Sequence, residues 1–320
     1  NGLAVSVSDP KNISLAINKI LDNKTLWNEY SDNGIRNVRR FYSWQTHTKT
    51  YLNEVNKIIM SQPLINDTFA QTGRKLLDME KLIVTDIDYT LIGDDESLVD
   101  FSKTLTEMPK KIGFGVATGR VIESAVEAIK TNNIPMPDLF ITSVGSEIYY
   151  NYKDELIYST GWDAHISHLW QKDKIIELLS KFDFLEFQEK ANQRKFKISY
   201  YTEDCSKNID KVRELLIKNK IKFSLIFSHG QYLDILPYRA SKGKAIRYLA
   251  YRWNIPFERI LVAGDSGNDM EMLKGDLLGV VVANYSPELE ELKGTRRVYF
   301  SGKKYAAGIK DGTNYYNFIN

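Results

Sequence analysis

Lys81-Leu82-Ile83-Val84-Thr85-Asp86-Ile87-Asp88-Tyr89-Thr90 is the stretch from which the fold can be read. A short apolar run, rich in β-branched residues, ends in two aspartates spaced by one residue and then a threonine. Run length and β-branching predict a buried parallel strand. Asp86 and Asp88 then sit where the strand stops, and the alternation of an extended chain points both to one side. Two carboxylates held that close repel, and they need a cation or a shared proton. The carboxyl end of a parallel strand is also where open α/β sheets bind ligands. The stretch predicts a metal-assisted carboxylate site; an acidic turn without chemistry is the plainer alternative for one motif taken alone.

Composition sets the outer bounds. With 320 residues there is room for two globular units and an appendage. The chain is 43% hydrophobic and 26% charged, enough apolar material for a real core. A formal charge of +2 gives no reason to expect a nucleic-acid or membrane-surface partner. One cysteine, Cys205, excludes an internal disulfide framework and suits a reducing, cytoplasmic compartment. No apolar run reaches transmembrane length. The opening residues read as mid-domain, so the chain is expected to be the C-terminal part of something longer.

Residues 1–60 read as helical. Asp9-Pro10 is an N-cap followed by proline at the first helical position. Ile13, Leu15, Ala16, Ile20 and Leu21 mark an apolar face, and a second pattern runs from Leu26 and Trp27 to Val38 with Asn33-Gly34 as a break. A third carries Tyr51, Leu52, Val55, Ile58 and Ile59. Such helices have too little core to stand alone, and must pack on the rest of the chain, on another copy or on a further domain. Residues 61–76 read as a linker.

From residue 77 strands and helices alternate, which predicts a parallel sheet. A strand over Lys111–Ala117 ends in Thr118-Gly119-Arg120 and a helix start, where backbone amides and Thr118 make a phosphate cradle. Another covers Asp138–Ser143. Over residues 160–236 the rhythm changes to short strand-like runs around helical patterns at 168–181 and 206–219, predicting an α+β module that interrupts the first. The α/β rhythm resumes at Lys242-Gly243-Lys244, and the strand Arg259–Ala263 ends in Gly264-Asp265-Ser266-Gly267-Asn268-Asp269. Carboxylates four apart in a glycine-rich turn can hold a hard cation. Oxygen donors without nearby histidine or cysteine favour Mg²⁺ over zinc.

D-x-D-x-T, a hydroxyl after the second strand, a lysine before a helix and G-D-x-x-x-D, in that order, resemble the haloacid-dehalogenase-type phosphohydrolases over about residues 77–320. The resemblance implies an α/β fold: a Rossmannoid parallel-sheet core (77–159 and 237–320), an inserted α+β cap (160–236) and an N-terminal helical appendage. It implies that Asp86 is a nucleophile passing through an aspartyl-phosphate, and Asp88 the general acid and then base. Asp86, Asp265 and the backbone carbonyl of Asp88 would ligate Mg²⁺, with Asp269 supporting the metal's shell. Thr118, Gly119, Lys242 and Asn268 would hold the phosphoryl oxygens, Lys244 being the alternative lysine. Thr90 is expected to brace its own loop.

Narrower likenesses follow. Ile141–Tyr150, Lys195–Tyr200, Gly264–Asp269 and Tyr305–Ile309 are similar to sucrose-phosphate phosphatases. Asn1–Val5, Ser8-Asp9-Pro10, Asn33–Val38 and Tyr42–Trp44 are similar to the closing helices of a GT-B sucrose-phosphate-synthase-type glycosyltransferase, without its nucleotide-sugar residues. The whole resembles the C-terminal portion of a bifunctional sucrose-phosphate synthase/phosphatase, which implies Mg²⁺-dependent hydrolysis of sucrose 6-phosphate and a glycosyltransferase domain upstream. Another substrate, such as mannosylfructose phosphate, and a non-catalytic sugar-phosphate-sensing role remain open, though the full set of aspartates favours activity. Glu147, Lys197, Trp162 and Gln231 are the expected sugar contacts, with Tyr200 behind them and core packing equally open for Trp162. His165 and His168 have helical spacing but are expected to be surface residues or hydroxyl partners rather than metal ligands, and His47 and His229 have no visible companions.

Overall fold

The computed structural model describes residues 2–5, 9–61, 78–153, 155–203 and 206–319, and the chain divides between Asn66 and Asp67 into two units. Nearly all of the expected linker, and Cys205, lie outside the described residues.

The first unit is helical: α1 (Pro10–Leu21), α2 (Lys24–Asn37) and α3 (Trp44–Ser61). Asp9 caps α1 by accepting from the Lys11 N–H at 2.9 Å, and Asn23 caps α2 by accepting from Leu26 at 3.0 Å. Asn33-Gly34 does not break α2, since a glycine inside a helix costs only about 1 kcal/mol relative to alanine. The irregularity comes later, as a five-residue π-helical turn over Val38–Tyr42. No described residue of α1 or α2 is buried, and Leu15, Leu21 and Trp44 are largely exposed.

The second unit is built on one large sheet. In chain order its core holds β1 (Lys81–Thr85), α4 (Asp95–Glu107), β2 (Ile112–Ala117), α5 (Ile122–Thr131), β3 (Leu139–Thr142), β4 (Glu147–Tyr152) and β5 (Glu155–Tyr158). Two helices, α6 (Thr160–Ile166) and α7 (Lys172–Leu179), lead into a second sheet made of β6 (Glu186–Phe187), β7 (Ile198–Tyr201), β8 (Phe223–Ser228) and β9 (Tyr232–Pro237), with α8 (Ser206–Lys218) between β7 and β8. The chain returns through α9 (Lys242–Trp253), β10 (Ile260–Gly264), α10 (Met270–Leu273), β11 (Leu278–Val281), β12 (Val298–Phe300) and α11 (Tyr305–Tyr315). The large sheet runs β12-β11-β10-β1-β2-β3-β4-β5, parallel except that β4 pairs antiparallel with both β3 and β5.

Register is what positions the site. Thr85 pairs with Val116 on one side and with Ala263 on the other, so β1, β2 and β10 end together and their following loops open on one rim. Being covered on both faces, β1 and β10 read as continuous apolar runs rather than alternating ones. The smaller sheet, β6-β7-β9-β8, is antiparallel and alternates. Ile198, Tyr200, Leu233 and Ile235 pack on α7 and α8 through Ile175, Leu179, Val212 and Leu216. The alternate positions Ser199, Tyr201, Tyr232 and Asp234 lie on the other face. No described helix is long and apolar enough to cross a membrane.

Candidate active site

Asp86 is the first residue after β1, and its backbone N–H donates to the Ala263 carbonyl of β10 at 2.9 Å. Its carboxylate is buried beside Lys242, the first residue of α9, whose Nζ lies 3.1 Å from Asp86 Oδ1. The same ammonium, wholly buried, donates to Asp269 Oδ1 at 2.7 Å and Asn268 Oδ1 at 2.6 Å. Asp269 Oδ2 accepts from the backbone N–H groups of Asp265 and Ser266. That fold-back needs Gly264, where a Cβ would lie 2.5 Å from the Asp269 side chain. Lys244, the alternative lysine, points elsewhere: it donates to the Tyr238 carbonyl and faces Glu271.

Thr90 Oγ1 donates to Asp265 Oδ1 at 2.6 Å, a tie between the β1 and β10 loops rather than the local brace expected. Tyr89 takes a left-handed backbone (φ 57°), a tight turn that brings the chain back toward β10.

Charge is crowded among these buried side chains. Burial pushes the Asp86 carboxyl well above its usual range, only partly offset by Lys242 and reinforced by Asp269 and Asp265. Burial also moves Asp265 up to about 7, with Asp269 adding to the rise and Thr90 opposing it. For Lys242 burial works against the charge, but Asp269 and Asp86 outweigh it and hold the ammonium above its ordinary value. Carboxylate oxygens of Asp86, Asp265 and Asp269 lie within 4.8 Å of one another. Asp86 Oδ1, although close to Lys242, has no hydrogen-bond partner among the described residues. Surplus negative charge, oxygen donors only and an unsatisfied carboxylate oxygen are what a hard divalent cation would complete, so these residues fit such a metal.

The Asp88 carboxylate does not join this cluster. Strand geometry ends at Thr85, so alternation no longer sets its direction. It accepts instead from Arg120, Nε to Oδ2 at 2.8 Å and Nη2 to Oδ1 at 2.7 Å, a two-point contact with both groups part-exposed. The cation shared by Asp86 and Asp88 that the motif suggested is, for Asp88, a guanidinium. Arg120 carried no sequence signal beyond following Thr118-Gly119. Thr118 is buried, and its Oγ1 accepts from the Arg120 backbone N–H at 3.1 Å.

A strained turn braces this loop against α9. Ser143, Val144 and Gly145 have φ of 52°, 60° and 91°. The Ser143 and Val144 N–H groups donate to the carbonyls of Arg120 and Thr118 at 2.8 and 3.0 Å. Gly145 sits so close to Ser241 that a Cβ would lie 2.1 Å from its carbonyl carbon. Backbone held in sparsely populated regions persists only where its surroundings over-determine it.

A cavity of about 460 Å³ opens between this rim and the smaller sheet. Asp86, Asp88, Gly119, Arg120 and Asn268 line it from the core, and Lys197, Gln231 and Asp234 from the second sheet. Larger clefts exist, about 910 Å³ beside Met79 and Met108 and about 710 Å³ along α9, but neither is lined by Asp86 or Asp88. Chemistry, not volume, picks out the smaller one.

The sequence pattern of the sucrose-6F-phosphate phosphohydrolase family matches residues 79–317. The chain belongs to that family. Sucrose-phosphatase 2 of Nicotiana tabacum is 32% identical over 245 residues, 71% of this chain and 57% of its own length. The chain thus spans less than two thirds of that relative. The X-ray structure of sucrose-phosphatase from Synechocystis sp. in complex with sucrose and phosphate superposes with a TM-score of 0.71 at 32% identity, covering 76% of this chain and all of that one. Sucrose-phosphate synthase 4 of Arabidopsis thaliana is 24% identical over 360 residues, 88% of this chain and 34% of its own length.

Within this phosphohydrolase fold the expected sugar contacts divide. Lys197 lines the cavity, buried, with Nζ 3.5 Å from Asp234 Oδ1; Gln231 lines it too. Glu147 is buried away from it, held by Arg194 at 2.7 Å and by the Thr142 and Ser143 hydroxyls at 3.2 Å. Trp162 is wholly buried, its indole N–H donating to the Gly145 carbonyl at 3.1 Å while its ring stacks on His165. Of its two open roles the ring fills the packing one, because a wide apolar group at the start of α6 buries most area beneath the strained turn. Tyr200 faces the α7–α8 side of its sheet. His229, from which nothing was expected, lines the cavity and packs on Tyr89 and Tyr232.

Proposed function

We propose that this chain is a Mg²⁺-dependent phosphatase that hydrolyses sucrose 6-phosphate to sucrose and phosphate. The observation that carries the proposal is the meeting of Asp86, Lys242, Asp265 and Asp269 at one rim, beneath a ligand-sized cavity with polar walls. An Asp86 oxygen attacks phosphorus; the bond from phosphorus to the sugar oxygen breaks, and that oxygen takes a proton from Asp88. Asp88 then takes a proton from water, whose oxygen attacks the phosphorus of the aspartyl-phosphate and releases inorganic phosphate from Asp86. Thr118, Gly119, Lys242 and Asn268 hold the phosphoryl oxygens. A Mg²⁺ ion held by Asp86, Asp265 and the Asp88 carbonyl, with Asp269 in support, would neutralise phosphoryl charge.

The smaller sheet acts in this reading as a cap that reads the sugar and keeps water from the first step. Support for the sugar comes from family membership and from the Synechocystis relative solved with sucrose and phosphate. The first unit we read as the closing helices of a glycosyltransferase, and the whole as part of a bifunctional synthase/phosphatase. The synthase match covers 88% of the chain, more than residues 67–320 can supply, so it reaches into the first unit. The single cysteine suits a cytoplasmic location.

Phosphate release from sucrose 6-phosphate, mannosylfructose phosphate and fructose 6-phosphate, with Mg²⁺ and then with EDTA, tests the proposal. We expect fastest release from sucrose 6-phosphate and its loss in EDTA. Release from none of the three would leave a sugar-phosphate-binding domain.

A further inference from the structure

We infer that the cleft of about 710 Å³ along α9 is a second binding site, one that takes a nucleoside phosphate, with the base against Tyr248 and Tyr251 and the phosphates at Arg239 and Arg252. None of the residues lining this cleft lines the cavity above the carboxylates. Tyr238 and Arg239 come from the segment joining β9 to α9, where the chain returns from the cap sheet, and His165 comes from α6. Lys244, Arg247, Tyr248, Tyr251 and Arg252 stand at positions i, i+3, i+4, i+7 and i+8 of α9, so they share one face of the helix. Ile246, Leu249 and Trp253 bury the other face in the core.

Packing uses the buried face of α9 and does not account for the outer one. Four cations gather there: Arg239, Lys244, Arg247 and Arg252. Of these, among the described residues, only Lys244 has a carboxylate partner, Glu271 at 3.4 Å. Arg247 donates to the Glu271 and Lys274 carbonyls at 3.0 and 2.6 Å, neutral acceptors that leave its charge in place. Arg239 Nη1 donates to the His165 carbonyl at 3.3 Å with its guanidinium over the Tyr238 ring, and Arg252 is exposed. Burial and the Arg239 charge hold the His165 imidazole below its ordinary value. Like charges crowded in one cleft repel, and a bound anion relieves that repulsion.

The walls decide which anion. The His165 and Tyr248 rings lie 5.4 Å apart, both packed on Trp162, and Tyr251 is largely exposed. Among the described residues no carboxylate and no side-chain amide lines the cleft. The hydroxyls of a sugar need such acceptors, and the cavity above Asp86 has them in Gln188, Asn192 and Asp234. A nucleobase needs flat faces, which tyrosine rings and guanidinium planes offer. Guanidinium forks also match phosphate oxygens at two points. An acidic peptide would use the cations and leave the rings idle; a base joined to phosphate uses both.

Calorimetric titration of the whole chain with adenosine 5′-diphosphate in EDTA tests the site without turnover, so its failure is distinct from failure of the phosphatase reading. We expect the diphosphate to bind about tenfold more tightly than either pyrophosphate or adenosine. Arg239→Gln and Arg252→Gln should each weaken it about tenfold, the scale of one lost charged hydrogen bond. Tyr251→Ala, at a largely exposed position, should weaken it to a similar extent while pyrophosphate binding stays within about twofold, and Tyr251→Phe should match wild type. No binding of the diphosphate, pyrophosphate binding equally tight, or an affinity unchanged in both arginine variants overturns the inference. So does a glutamate-rich peptide that binds when the diphosphate does not, since the cleft would then belong to a protein partner.

Discussion

Asp88 and Arg120 meet in a two-point contact that fixes the carboxylate's orientation beside the cavity. In the proposed reaction Asp88 must reach first the leaving oxygen and then a water, so its direction matters more than its strength as a base. Cutting Arg120 back to alanine should lower kcat for sucrose 6-phosphate by about 10- to 100-fold through misplacement of Asp88. Arg120→Lys, which cannot form the fork, should recover only part of that loss. Steady-state kinetics of the two variants check this, and an unchanged kcat in Arg120→Ala would remove Arg120 from the proposed mechanism. Asp86, Lys242, Asp265 and Asp269 were legible as sequence because each stands at the end of an apolar run or the start of a helix, where backbone geometry fixes the side chain. Arg120, Tyr89 and His229 were not. Their directions are set by loops and left-handed residues that no periodicity encodes. Trp162 was ambiguous for a different reason, since an aromatic ring suits both a sugar and a core, and only burial separates the two.

Strand ends bring the carboxylates together, and that gathering has a consequence for stability. Without metal, burial raises Asp86 well above its usual range and Asp265 to about 7. An unfolded chain would release the same protons near pH 4. Between about pH 4 and 7 the folded, metal-free protein therefore binds more protons than the unfolded chain, and its stability falls as pH rises through that window. Thermal melts in EDTA should show Tm dropping across this range. Mg²⁺ should raise Tm most at the high end, where the carboxylates are ionised and ready to bind it. A Tm in EDTA that climbs from pH 5 to 7 would contradict this electrostatic account. The parallel strands themselves were legible because burial on both faces writes them as unbroken apolar runs. The strained Ser143–Gly145 turn was not, since its backbone answers to Arg120, Thr118 and Ser241, all distant in sequence or set by the fold.

At the scale of the whole molecule the two sheets divide the labour. The parallel sheet gathers charged groups at a rim, and the antiparallel one turns a polar and aromatic face toward them. The change of rhythm to short strand-like runs around helical patterns announced the second sheet in the sequence, but not which of its residues would face the cavity. That needed the register pairing Tyr201 with Tyr232 and Ser199 with Asp234. The helical first unit was legible from its caps, while the absence of burial in α1 and α2 could be seen only in the structure. The central claim is that phosphorus passes through Asp86, and trapping it there is the most direct test. Sucrose 6-phosphate labelled with ³²P should, on rapid acid quench with Mg²⁺ present, leave alkali-labile label on the wild-type protein and none on Asp86→Asn, which should also release no phosphate. Phosphate released at an undiminished rate by Asp86→Asn would contradict the account.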